Sequence, residues 1–248
     1  MDQAAEDFRL LALDAETGFV HATNGRILRT GSPDGGQAPR VFFAGCAGGT
    51  ILRIRQDVSD QTAADLEALA TAEPPWVDPQ ALPACLAAMI ERLSRDAPAE
   101  AAAPALYFQL PKATAFSSDV AIIRSDTPQG GRLLARLARD GMPPHLAAAG
   151  FAGLTDFWAP WCAAMAGEDI AALCFAARLG PRGAAVGIYT FPGYRGRGLA
   201  AAVTAAWSAM PALAERTLSY SALRTNRSSL RVAERLGLRR FGLSVSIA

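Results

Sequence analysis

The chain has 248 residues, 51% of them hydrophobic and 19% charged, a composition that suits one large core or two smaller ones and excludes a disordered chain. Lys and Arg total 24 against 23 Asp and Glu, for a net charge of +1. That balance excludes the general basic excess on which sequence-independent nucleic-acid binding depends, although Arg224, Arg227, Arg231, Arg235, Arg239 and Arg240 crowd the C-terminal region.

The opening Met1-Asp-Gln-Ala-Ala-Glu-Asp is acidic and has no apolar core of the kind a secretory leader needs. No apolar run reaches the roughly 18–20 residues of a membrane span. The expectation is a cytoplasmic protein with neither a membrane nor a nucleic-acid partner. Cys46, Cys85, Cys162 and Cys174 form no CxxC pair, and His21 and His145 are the only histidines. Buried free thiols are expected, and no metal.

In chain order, Gly31-Ser-Pro-Asp-Gly-Gly reads as a loop. Val41–Ala44 and Thr50–Arg55 read as strands turning at Gly48-Gly49. A helix follows Asp60, with Leu66, Leu69 and Ala70 on one face, and Glu73-Pro-Pro-Trp ends it because proline cannot continue the ladder. Leu82, Leu86, Met89, Ile90 and Leu93 recur at helical spacing over Ala81–Ser94. Ala97–Pro104 has no periodicity and reads as a linker or a surface loop. Leu106–Leu110 reads as a strand, and the polar Lys112–Ser118 marks a boundary between an N-terminal α+β region (1–116) and a second domain (117–248).

Within the second domain, Val120–Arg124 reads as a strand and Gly130–Arg139 as a helix that Gly141-Met-Pro-Pro breaks. Ala147–Phe157 reads as a short helix or two turns. Cys162–Ala166, Ile170–Leu179 and Ala184–Thr190 read as strands, then Arg197–Met210 as an alanine-rich helix, Thr217–Leu223 as a strand, Asn226–Leu236 as a helix stopped at Gly237, and Phe241–Ile247 as the last strand. Hairpins followed by β-α-β-α-β make a mixed α/β sheet.

The informative segment is Ile188-Tyr-Thr-Phe-Pro-Gly-Tyr-Arg-Gly-Arg-Gly-Leu-Ala200. Glycines let a backbone turn tightly and approach a ligand, and the first turn of the following helix presents free N–H groups and a dipole that favours an anion. Such a strand–loop–helix unit is a ready phosphate cradle, with Arg195 and Arg197 adding charge. It lacks the Gly-Lys-Ser/Thr of a P-loop and the GxGxxG spacing. A tight turn with solvated arginines is the other reading of these residues.

Arg195-x-x-Gly198-x-Ala200 resembles the pyrophosphate motif of the GCN5-related N-acetyltransferases (GNAT), and Thr190-x-Pro192-x-x-Arg195-Gly196-x-Gly198 is similar to its fuller form. Asn226-x-x-Ser229 with Leu236-Gly237-Leu238 resembles the family's later helix. Arg53–Asp57 and Glu73–Trp76 look like the N-terminal extension of some bacterial members, far less specifically. The resemblance implies a mostly antiparallel mixed sheet flanked by helices and splayed between its fourth and fifth strands, with acetyl-CoA as co-substrate. It implies that Ile188, Tyr189 and Thr190 pair with the pantetheine arm. Arg195, Gly196, Arg197, Gly198, Leu199 and Ala200 would hold the pyrophosphate, and Asn226 and Ser229 would lie near the cofactor. Asn226 also reads as a simple helix cap.

One departure stands out. Where some members carry a catalytic Glu and Tyr, this chain has Ser221 and Ala233. Tyr189, Tyr220 and Ser221 are the substitute candidates, and packing on the sheet is the plainer reading of both tyrosines. Trp158, Trp161 and Trp207 read as core or as the wall of an acceptor pocket. The implied activity is acetyl transfer to an amine of unspecified identity. A CoA-binding regulatory module, or transfer of a longer acyl group, are the alternatives. The N-terminal region could form the acceptor pocket, cover a sheet edge or mediate a homodimer.

Overall fold

The computed structural model describes residues 2–248; Met1, the first residue of the acidic opening, lies outside the described residues. The elements run α1 (Gln3–Gly18), β1 (Phe19–His21), β2 (Ile27–Thr30), β3 (Val41–Cys46), β4 (Gly49–Ile54), α2 (Asp60–Ala72), α3 (Leu86–Ser94), β5 (Ala105–Leu110), β6 (Ala121–Arg124), α4 (Pro128–Asp140), α5 (Pro144–Ala147), β7 (Trp161–Ala166), β8 (Asp169–Leu179), β9 (Gly183–Thr190), α6 (Leu199–Ser208), β10 (Thr217–Leu223), α7 (Arg227–Arg235) and β11 (Arg239–Ile247). This is the expected α/β architecture, with mostly antiparallel strand pairing and flanking helices.

Two compact units divide the chain. The first holds the chain up to Gln109 together with Ser221–Leu230 and Arg239–Ala248; the second holds Leu110–Tyr220 and Arg231–Leu238. A single cut near residue 116 therefore does not describe the division, because β11 pairs antiparallel with both β3 and β5 and so belongs with the N-terminal elements.

In the first unit the strand order is β4-β3-β11-β5. Every residue of β3 is buried, because helices cover both of its faces. Val41 and Phe43 pack with Leu66, Met89 and Leu93 of α2 and α3. Phe42 and Ala44 pack with Leu10, Leu11 and Ala15 of α1. The alternation is the period of two that a strand imposes. On β11, Leu243, Val245 and Ile247 face the α2/α3 side while Phe241 faces α1. A bulge between Arg240 and Gly242 supplies the extra residue that switches the parity.

Several expectations change here. The helix α1 and the hairpin of β1 and β2 lie where no element was expected. The stretch Ala97–Pro104, read as a linker or a loop, runs hydrogen-bonded beside the last strand: Ala102 N–H donates to Ser246 O at 2.8 Å, and Glu100 and Ala248 exchange bonds at 3.2 and 3.0 Å. The second helix begins at Leu86 and not Ala81, because the Glu73 carboxylate accepts from the N–H groups of Ala84 and Cys85, both at 2.8 Å, and fixes its start.

In the second unit the order is β10-β9-β8-β7-β6. Strands β6 to β9 form an antiparallel meander, and β10 runs parallel to β9. The helix α6 packs on β7, β8 and β9. Leu133 and Leu137 of α4, Leu146 of α5, and Phe151 and Phe157 of the connection form one core with Trp161, Leu173 and Phe191. The stretch Ala147–Phe157, expected as a short helix or two turns, holds the end of the single-turn α5 at Ala147 and a short 3-10 turn at Leu154–Asp156. Gly150, at φ 93°, stops the first turn from continuing. All four cysteines are free and buried.

Candidate functional site

The site grows from one irregularity in the second unit. β9 and β10 keep parallel register only over Gly183–Ala185 and Thr217–Ser219. From Val186 onward β9 continues its ladder with β8 alone, through Cys174↔Ile188, Leu173↔Tyr189 and Ala172↔Thr190. Val186–Thr190 are only half-buried. The strands part there, so one edge of β9 keeps main-chain groups for an outside partner.

Beyond Thr190 the chain turns through Phe191–Gly198. Gly193, Gly196 and Gly198 take φ values of 86°, 78° and 78°, a conformation that costs other residues energy. Gly198 is the N-cap of α6 and supplies no side-chain hydrogen bond, and no acidic residue lies in the first turn. The first N–H groups of α6 therefore have no partner within their helix or from a cap. A Cβ at Gly196 would meet nothing within 4 Å, so a ligand can approach the loop backbone closely.

The arginines divide unexpectedly. Arg195 Nε donates to Thr190 O at 3.2 Å, and Arg197 Nη2 donates to Gly193 O at 3.1 Å. The Arg197 guanidinium also lies 5.6 Å from the Tyr194 ring centre. Both side chains brace the loop. Tyr194 Oη in turn donates to Asp169 Oδ2 at 2.9 Å, and that carboxylate holds the phenol above its ordinary pKa. The cation at the open helix end is Arg235, at the end of α7. A Cβ on Gly198 would stand 3.1 Å from its Nη1, and no carboxylate pairs with Arg235 among the described residues. In the sequence Arg235 is one of a basic crowd, and its place two residues before Gly237 does not set it apart from its neighbours. Gly237 N–H donates to Glu234 O and Leu238 N–H to Ala233 O, which ends α7 in a tight left-handed turn.

A glycine-lined loop, an uncapped helix end and an unpaired guanidinium fit a diphosphate. Ile188, Tyr189 and Thr190 lie on the open stretch of β9, and Arg195, Gly196, Arg197, Gly198, Leu199 and Ala200 follow in the loop and first turn, all in the second unit. Asn226 and Ser229 belong to the first unit. There Asn226 Oδ1 accepts from Ser229 N–H at 3.1 Å and caps α7.

The catalytic candidates separate by burial. Tyr220 is 2% exposed, while Ser221, next along β10, is exposed, so the two face opposite ways. Tyr189 is half-buried. Its ring packs on Phe151 at 5.9 Å and Phe191 at 5.0 Å, while its Oη has no hydrogen-bond partner among the described residues. Trp161 and Trp207 are core residues, 1% and 0% exposed. Trp207 Nε1 donates to Pro160 O at 2.8 Å. Burial pushes the Cys85 and Cys162 thiols up to about 12 and Cys174 well above its ordinary value, so none is a ready nucleophile. Among the described residues, no group of three or more His, Cys, Asp or Glu side chains could hold a metal ion, and no helix is long and apolar enough to cross a membrane.

Residues 161–242 match the family model described as GNAT acetyltransferase. That span runs from β7 into β11 and contains the open strand edge, the glycine loop and Arg235. Among solved structures, the chain is similar to a GNAT-family protein from Novosphingobium aromaticivorans (24% identity, 60% of this chain and 66% of that one, TM-score 0.42). It is similar also to an acetyltransferase of the GNAT family from Colwellia psychrerythraea (16% identity, 60% and 56%, TM-score 0.40). A third is a tandem GNAT protein from the clavulanic acid biosynthesis pathway (13% identity, 99% and 94%, TM-score 0.43). The chain thus spans 66% and 56% of the length of the first two. No curated protein matches it.

Proposed function

From a chain that carries a GNAT acetyltransferase domain over residues 161–242, we propose an N-acetyltransferase that moves the acetyl group of acetyl-CoA to a primary amine of a small molecule or protein, by direct attack in a ternary complex. The observation that carries this reading is Gly198, a left-handed N-cap without a side chain at the start of α6. With Arg235 beside it, the helix end is suited to the pyrophosphate, and the open edge of Val186–Thr190 is suited to the amides of the pantetheine arm as an added strand.

In this reading the neutral amine nitrogen attacks the thioester carbonyl carbon. The N–C bond forms, the C–S bond breaks, and the amine's proton leaves to water. Tyr189 Oη donates its proton to the departing thiolate and is reprotonated from solvent. Its packed ring and unpartnered hydroxyl favour it over the buried Tyr220 and the exposed Ser221. Most of the rate comes from holding the two reactants together.

Calorimetric titration with acetyl-CoA, combined with free-thiol release across a panel of amines, tests the proposal. Saturable binding and thiol release with at least one amine are expected. Tyr189→Phe should keep its affinity and lose about tenfold or more in kcat. No binding by the folded protein would end the reading. A second reading, a CoA-binding regulatory module, is favoured by Ala233, a buried methyl with nothing to donate, and by Ser221. Binding without thiol release would select it.

A further inference from the structure

We infer that the amine acceptor carries an aromatic ring, seated on a wall made by Trp158, Phe175 and Tyr189. The inference rests on the transferase reading above and names the substrate class of that site. Phe175 faces Gly187 across the β8–β9 ladder, and a Cβ on Gly187 would collide with Phe175 Cε2. A glycine inside a strand marks such a close approach. It lets the Phe175 ring lie against the backbone of β9 one residue past the point where β10 departs.

The wall continues on both sides of that ring. Trp158 stands edge-on to Phe175 at 5.5 Å, and its own carbonyl is fixed by Ala176 N–H at 3.3 Å. Phe151 touches both Phe175 and Tyr189 at 5.9 Å from beneath. Phe151 is buried, but Trp158, Phe175 and Tyr189 are each only half-buried. Among the described residues, neither Trp158 Nε1 nor Tyr189 Oη has a hydrogen-bond partner. An aromatic surface with two polar tips is what a ring-bearing ligand requires.

The wall also favours a ring-bearing amine over a linear diamine. Trp158, Phe175 and Tyr189 carry no carboxylate to pair with a second ammonium, and a diamine offers them no ring to pack against.

The experiment compares 2-phenylethylamine with putrescine on the CoA-loaded protein by calorimetry, and on the acetyl-CoA-loaded protein by thiol release. Wild type, Trp158→Ala and Trp158→Phe are measured in parallel. Preference for 2-phenylethylamine is expected, with KM raised about tenfold in Trp158→Ala, kcat little changed, and recovery in Trp158→Phe. Binding of 2-phenylethylamine without thiol release would support the wall and defeat the transferase reading. Equal or better use of putrescine, or a Trp158→Ala enzyme with unchanged KM, would overturn the wall and leave the transferase reading intact. Release with neither amine and no binding of either would overturn the wall as well.

Discussion

The chain passes from a strand into a helix in two places that look alike on paper and differ in what they leave open. β4 enters α2 through Arg55–Ser59. There Ser59 Oγ accepts from Thr62 N–H at 3.2 Å, Asp60 occupies the first turn, and Arg55 grips Asp57 at 2.7 and 2.9 Å. That grip holds Asp57 below the usual carboxylate range. β9 enters α6 through Phe191–Gly198, with a glycine cap, no acidic residue in the first turn, and arginines that brace the loop or stand free beside it. The first helix end meets its needs from its own side chains and is structural. The second leaves them unmet, which is the arrangement an external anion completes.

The comparison breaks most sharply at Gly198. Gly198→Glu brings a carboxylate to the open amides and draws Arg235 to itself. The affinity for acetyl-CoA should fall at least about a hundredfold, roughly 3 kcal/mol. A side chain at φ 78° also costs about 1–2 kcal/mol of stability, so thermal unfolding must be followed alongside calorimetry. A folded variant that binds as wild type does would show that the two helix ends differ only in appearance. Arg235→Gln is the gentler version. Removing one unpaired guanidinium should weaken binding about five- to tenfold, and the loss should shrink as salt rises because the charge is exposed. A salt-independent loss would point to a packing role for Arg235 instead.

How far the sequence displayed this site depended on the reach of each interaction. The β9–loop–α6 passage was legible because its determinants are local: Pro192, three glycines at positive φ, and an alanine-rich helix. Even so, the helix starts at Leu199 and not Arg197, since Gly198 must turn left-handed first. Arg235 was invisible as a site residue because its meaning comes from a glycine 37 positions earlier in the chain. The wall of Trp158, Phe175 and Tyr189 likewise needs the β8–β9 register. In the other unit, α1 was missed because its stability comes from packing on β3, β4 and β11, partners that lie outside any local window. β11 itself joins the N-terminal elements, which no composition shift near residue 116 announces.

The smallest expected effect lies at the closed helix end and sharpens the contrast from the opposite side. Ser59 Oγ accepts from Thr62 N–H and donates to Thr62 Oγ1 at 2.8 Å, and Thr62 Oγ1 donates to Asp96 Oδ2 at 2.6 Å. Ser59→Ala removes the cap and should cost about 1 kcal/mol, seen as a lower urea midpoint at unchanged slope. Ser59→Gly should cost only a few tenths of a kcal/mol relative to the serine, as glycine does at this position. It would also leave α2 as free of a side-chain cap as α6. Acetyl-CoA affinity should stay within about twofold of wild type in both variants, since a cap term acts on folding alone. The titration of Ser59→Gly should show no second binding event, because Asp57 and Asp60 still repel an anion there. A second event would mean that an open helix end alone recruits the ligand. In that case the absence of carboxylates and the presence of Arg235 at α6 would lose their explanatory role.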